Sequence, residues 1–259
     1  MTVTAPRRSR LSAAAPVALL LAVAAAAWVI SVKRMADMDT GPGGELGNLG
    51  WFAVTWLVMM AAMMLPAATP MVAAYGRRAT SAGATAAFAA GYLAAWVAAG
   101  VVAYAAIEAV RSLQPAFLGW QEGGRYVAAA LVVAAGLYQL TTTKRGFVRR
   151  CRERRAFMTE RWRTGYPGAV SLGVEYGGFC IGCCWGLMAA LFALGWMSLT
   201  WMVLVAVLVG AERVLPWGRA TRLAVAGVLV VLGGAVALVP GNVPGLTVPS
   251  GAMKAMDMP

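Results

Sequence analysis

The stretch Phe179-Cys180-Ile181-Gly182-Cys183-Cys184-Trp185-Gly186-Leu187-Met188 decides how the rest of the chain is read. It holds three of the four cysteines and lies inside a long apolar run. On a helix turning 100° per residue, Cys180, Cys183 and Cys184 fall within an arc of roughly 100°. Met188 continues that face one turn beyond Cys184. Gly178, Gly182 and Gly186 repeat every fourth residue on a nearly opposite face, a spacing that lets a neighbouring helix come close. One helix therefore carries a soft-ligand face and a glycine face.

Apolar residues make up 61% of the 259 residues and charged residues 12%. A soluble domain carries roughly twice that charged share. The bilayer must be the solvent for this much apolar surface. The expected fold is all-α, a polytopic transmembrane helical bundle. Spans are expected at Leu11–Val32, Trp51–Tyr75, Ala82–Val110, Tyr126–Thr143, Ala169–Trp196, Leu199–Ala211 and Leu223–Val239. Seven spans put the N-terminus inside and the C-terminus outside. A re-entrant segment over 196–213 would reduce the count to six. The first run, at about 22 residues, exceeds a signal-peptide core, so it reads as a retained helix. The domain reading is a cytoplasmic segment 1–10, one helical domain 11–239 and a tail 240–259 that contains Met253, Met256 and Met258.

The net charge of +12 would suggest nucleic acid in a soluble protein. Here the basic residues sit in the loops, and 17 of the 22 Lys and Arg fall on segments assigned inside. That is the positive-inside pattern, and nucleic acid is not a partner on this reading. The segment from Lys144 to Arg163 holds nine of them. It reads as a topology determinant with a short surface helix, or as a contact for anionic lipid or a membrane or soluble protein partner.

The chain has no histidine. Haem with His ligands, His-rich copper oxidase sites and Ser-His or Cys-His catalysis are therefore excluded. Zinc needs a closed four-ligand shell, and the fourth cysteine, Cys151, lies in the basic segment. Cu(I) accepts two or three soft ligands, thioether included, and is the favoured ion. One helix alone is expected to bring two of the three thiols to an ion, with further ligands coming from another helix. The second span offers them. Met59 with Met63 and Met60 with Met64 form two pairs at i,i+4, just before Pro66 and Pro70. These prolines remove backbone donors and free carbonyls.

The expected metal site is thus Cys180, Cys183 and Cys184 as thiolates. Met60 and Met64 would be thioethers, with Met59 and Met63 on the same ladder and Met188 beyond the cysteines. Met35 and Met38, with Asp37 and Asp39, could hold copper weakly outside the membrane, or form an ordinary polar loop. Glu175 and Glu212 are candidates for an ion path or gate. Glu175 reads equally as a side chain in cytoplasmic water, and Glu212 as half of an interfacial ion pair with Arg213. No catalytic residue is assigned. Two other readings stay open: a membrane thiol-disulfide oxidoreductase using Cys180 and Cys183, and a scaffold subunit in which the cysteines pack as small hydrophobes.

Several segments resemble a bacterial family of predicted metal-binding integral membrane proteins. Trp56-x-x-Met59-Met60-Ala61-Ala62-Met63-Met64-Leu65-Pro66, with Pro70-Met71, is similar to its first signature. Cys180-x-Gly182-Cys183-Cys184-Trp185-x-Leu187-Met188 is similar to its second. Glu212-Arg213-x-x-Pro216-x-Gly218 is similar to a third, where the family usually has Glu-Lys. The resemblance covers about residues 50–220. It implies metal binding at the Cys and Met positions. The residues themselves give the expectation of a multi-pass protein of the bacterial inner membrane that moves, buffers or delivers a soft ion such as Cu(I).

Overall fold

The computed structural model describes residues 8–35, 46–79, 81–113, 123–196, 198–215, 218–243 and 246. Among them the secondary structure is helical, with no strand. The helices are α1 (Arg8–Met35), α2 (Leu49–Gly76), α3 (Ala82–Ser112), α4 (Arg125–Tyr138), α5 (Thr142–Arg152), α6 (Arg154–Glu160), α7 (Gly165–Leu194), α8 (Leu199–Val214) and α9 (Gly218–Leu238). The all-α expectation holds. Asp37, Met38, Asp39, Met197, Pro216 and the tail methionines Met253, Met256 and Met258 lie outside the described residues.

Five helices are long and apolar enough to cross a bilayer: α1 from Ala15, α2, α3, α7 and α9. The expected fourth span breaks at 139–141. Its first part, α4, has 14 residues, against the roughly 20 a crossing needs. Taken with α5 across the break it would supply a sixth crossing. The expected sixth span is the 16-residue α8, which also falls short of that length. Large apolar side chains face outward along the long helices, among them Val231 at 73% and Leu238 at 82% exposure. Water would penalise that surface and lipid would not.

The helices form two compact units. The first takes α1, α2, most of α3, α5, α6 and α7 as far as Cys184. Its local causes are readable. Asn48 caps α2 by accepting the Trp51 N–H at 2.9 Å, which satisfies one of the orphan donors of a helix start. The Trp56 indole donates to the Trp96 carbonyl at 2.8 Å and pins α2 to α3. Gly100 has no side chain because the Trp56 indole fills that space. A run of rings then lines the interior: Tyr75 stacks on Phe88 at 4.8 Å, and Tyr176 lies 5.8 Å from Tyr92 and 5.7 Å from Phe157. α2 stays one helix through Pro66 and Pro70.

Glycines bring α3 and α7 together, but not the expected ones. A Cβ on Gly91 would strike the Val170 carbonyl, and one on Gly173 would strike the Phe88 carbonyl. A Cβ on Gly177 would lie 2.6 Å from the Ala95 methyl. In the expected set, a Cβ on Gly178 would have nothing within 4 Å, and one on Gly182 would lie 2.7 Å from the ring of Phe147. The contact with α3 thus uses Gly173 and Gly177, while Gly186 of the expected set admits Tyr138 and the Ala135 backbone of α4. The spacing marks room for a neighbour without saying whether backbone or side chain fills it.

The second unit takes the end of α3, α4, the end of α7, α8 and α9. α4 and α9 are its core pair. Gly136 lies against the Ala226 carbonyl and Leu229, and Gly233 against Val133 and the Ala129 carbonyl. Gly186 meets the Tyr138 ring, which also packs on Trp185 at 4.9 Å between centroids.

Candidate metal site

The cysteine stretch lies within α7, a 30-residue helix of high apolarity. Cys180, Cys183 and Cys184 are 1%, 2% and 1% exposed. None of the three is in a disulfide, and their sulfurs lie within 4.8 Å of one another. The Cys183 and Cys184 sulfurs are 3.2 Å apart. The Cys183 thiol also donates to the Cys180 carbonyl at 3.0 Å, which folds its side chain back over the preceding turn.

One helix thus brings three sulfurs together, where two were expected to reach an ion. Side chains at i, i+3 and i+4 share a face, and the backward tilt of each Cβ sends their tips toward the same point. An ion holding three sulfurs in a plane at ~2.3 Å keeps them roughly 4 Å apart. The observed spacing is close to that. Among the described residues this is the one group of three or more Cys, His, Asp or Glu side chains placed to hold a metal. Cys151 is buried on α5 and stands outside it. A closed four-cysteine shell is therefore not assembled.

The second helix does approach the cysteines. The Tyr92 hydroxyl lies 3.1 Å from the Cys180 sulfur and 3.4 Å from the Met64 carbonyl. One phenol on α3 thus ties α2 to α7 in a fully buried position. Met59, Met60, Met63 and Met64 are all buried. Met188 is buried one turn after Cys184. Met35, at the end of α1, is also buried.

The acidic candidates are placed differently. Glu175 lies on α7, 22% exposed, and pairs with Arg161 from the segment after α6. Its second oxygen is buried without a hydrogen-bond partner. Glu212 is buried on α8, in the second unit.

Tyr92 is the residue that sequence reasoning missed. The third span, Ala82–Val110, reads only as an alanine-rich crossing. A phenol in the middle of that span, directly after Gly91, was the available signal, because a buried Tyr hydroxyl needs a partner. Trp96 was missed for the same reason; its contribution is a backbone carbonyl, which no side-chain pattern reveals.

No curated protein and no solved structure matches the chain. A family model does match, over residues 53–236, and its description is PpoB2, copper chaperone. The match takes in the methionine ladder of α2, Tyr92, the cysteine stretch and Glu212. A buried three-thiol cluster in a histidine-free chain agrees with that description, and the chain belongs to the PpoB2 copper chaperone family.

Proposed function

We propose that this protein binds one Cu(I) through Cys180, Cys183 and Cys184 and delivers it to an acceptor at the bacterial inner membrane. The convergence of three buried sulfurs within 4.8 Å carries the reading. Membership of a copper chaperone family supports it. Thiolate is a soft donor and Cu(I) a soft acceptor that is content with three ligands. The two sequence signatures around Met59–Pro66 and Cys180–Met188 would be the metal-handling segments. Met60 and Met64 would offer thioethers from α2, Met59 and Met63 would line the same ladder, and Met188 would be a later station on α7.

Low coordination suits delivery. A three-coordinate ion can accept an incoming thiol or thioether before an old bond breaks, so it passes along soft ligands without being released into water. Tyr92 would act as a positioning residue, its hydroxyl 3.1 Å from the Cys180 sulfur fixing that side chain. Glu175, held by Arg161, would stand on the route to the cluster, and Glu212 would serve a second step. The burial of the cysteines favours copper over thiol exchange with protein substrates, which need an accessible sulfur.

The test is anaerobic loading of the purified protein with Cu(I), followed by mixing with a thiol-rich apo-acceptor across a membrane-permeable barrier to free copper. One Cu(I) per chain is expected, with transfer that depends on contact between donor and acceptor. Transfer at the same rate when the two are kept apart by dialysis would contradict delivery and leave storage.

A further inference from the structure

The geometry points to a binding site for an anionic phospholipid headgroup in a cleft of about 660 Å³ at the end of α2. Arg77, Arg78, Arg152 and Arg155 line it, with Glu153 as the one acidic wall residue. Ala74, Ala156 and Met158 complete the lining and give it an apolar share. The cleft lies wholly within the first unit.

Three observations separate this from an ordinary topology signal. First, arginines that merely set orientation can spread into water, whereas these four surround one concave space. Second, the Arg78 guanidinium donates to the Met158 carbonyl at 3.3 Å, so part of the wall is positioned rather than free to swing away. Third, Glu153, the one acidic residue of the lining, pairs with Arg149 at 3.6 Å, so its charge is partly offset. Four arginines lining one volume concentrate positive charge there, and a phosphate among them would balance it. Arginine suits it, because its planar fork meets phosphate oxygens in pairs.

The position selects the lipid over a soluble ion. Arg77 and Arg78 directly follow Gly76, where the candidate span Leu49–Gly76 ends. That is the depth at which headgroup phosphates lie, and basic residues there attract anionic lipid. The apolar lining by Ala74 and Met158 suits the glycerol end of a lipid.

The full-length protein in nanodiscs of equal phosphatidylglycerol and phosphatidylcholine is the test. Lipid retained after detergent extraction is read by native mass spectrometry. Phosphatidylglycerol should be enriched over phosphatidylcholine in the wild type. Each of the pairs Arg77→Gln/Arg78→Gln and Arg152→Gln/Arg155→Gln should lower that enrichment roughly tenfold. Arg111→Gln, elsewhere on the chain, should leave it unchanged. Helical circular dichroism confirms that each variant is folded. Equal retention of both lipids, or enrichment that survives all four substitutions, would overturn the proposal. Inorganic phosphate that displaces the lipid at equal concentration would also overturn it, in favour of a soluble phosphate site. None of these outcomes depends on copper, so the proposal stands or falls apart from the metal site.

Discussion

Cys183→Ser is expected to weaken Cu(I) binding on the order of 100-fold, and replacing Cys180, Cys183 and Cys184 together by Ser is expected to abolish it. Structural metal sites with four ligands bind with ~10–16 kcal/mol, which puts each ligand near ~3 kcal/mol. A loss of that size is about two orders of magnitude in Kd. Ser is nearly isosteric with Cys, but its hydroxyl is a hard, neutral donor. Cys183 is the informative member. Its sulfur lies 3.2 Å from that of Cys184, and it also contacts the Cys180 carbonyl. Tyr92→Phe should cost less, about tenfold, because it removes a hydrogen bond to a ligand and not the ligand. Competition against a Cu(I) chelator under anaerobic conditions measures all of these. A Cys183→Ser protein that binds as tightly as the wild type would remove this residue from the site. A Tyr92→Phe loss larger than the Cys183→Ser loss would mean that the phenol itself is the stronger ligand.

Gly173→Ala should destabilise the protein by about 3 kcal/mol, while Gly178→Ala should be silent. The added methyl at Gly173 meets the Phe88 carbonyl with no room to spare. Backbone cannot move aside as a side-chain tip can, so α3 and α7 must separate. Overpacking of this kind costs about 1–3 kcal/mol and occasionally more. The separation also reaches the site. Gly91, which meets Val170 in the same crossing, directly precedes Tyr92, and Tyr92 holds Cys180 at 3.1 Å. Copper affinity should therefore fall along with thermal stability in detergent. Gly178 is the control, since it lies on the same helix with nothing within 4 Å of an added Cβ. If the two substitutions have equal effects, the crossing does not depend on glycine.

Several features were legible in the residues alone. The 61% apolar content and the length of the runs dictate a helical membrane bundle. Cysteines spaced 3 and 4 apart dictate one face of one helix, and the absence of histidine dictates its chemistry. What the residues did not reveal were distances between side-chain tips. The third thiol joins the cluster because Cys183 turns back over Cys180 to donate to its carbonyl, a local choice the spacing does not state. Nor does the sequence distinguish glycine that admits backbone from glycine that admits a ring. Gly173 and Gly182 look alike in the chain, yet one meets the Phe88 carbonyl and the other Phe147. The break at 139–141 was hidden for a related reason. The apolar pattern runs on through Leu140, while Gln139 is buried and marks the end of α4.

The central claim is that one ion is held by three sulfurs from a single helix, and X-ray absorption at the copper edge tests it most directly. The Cu(I)-loaded protein should show a mononuclear ion with an all-sulfur shell, three sulfurs strong. A first shell of nitrogen or oxygen, or a short copper–copper distance, would contradict it.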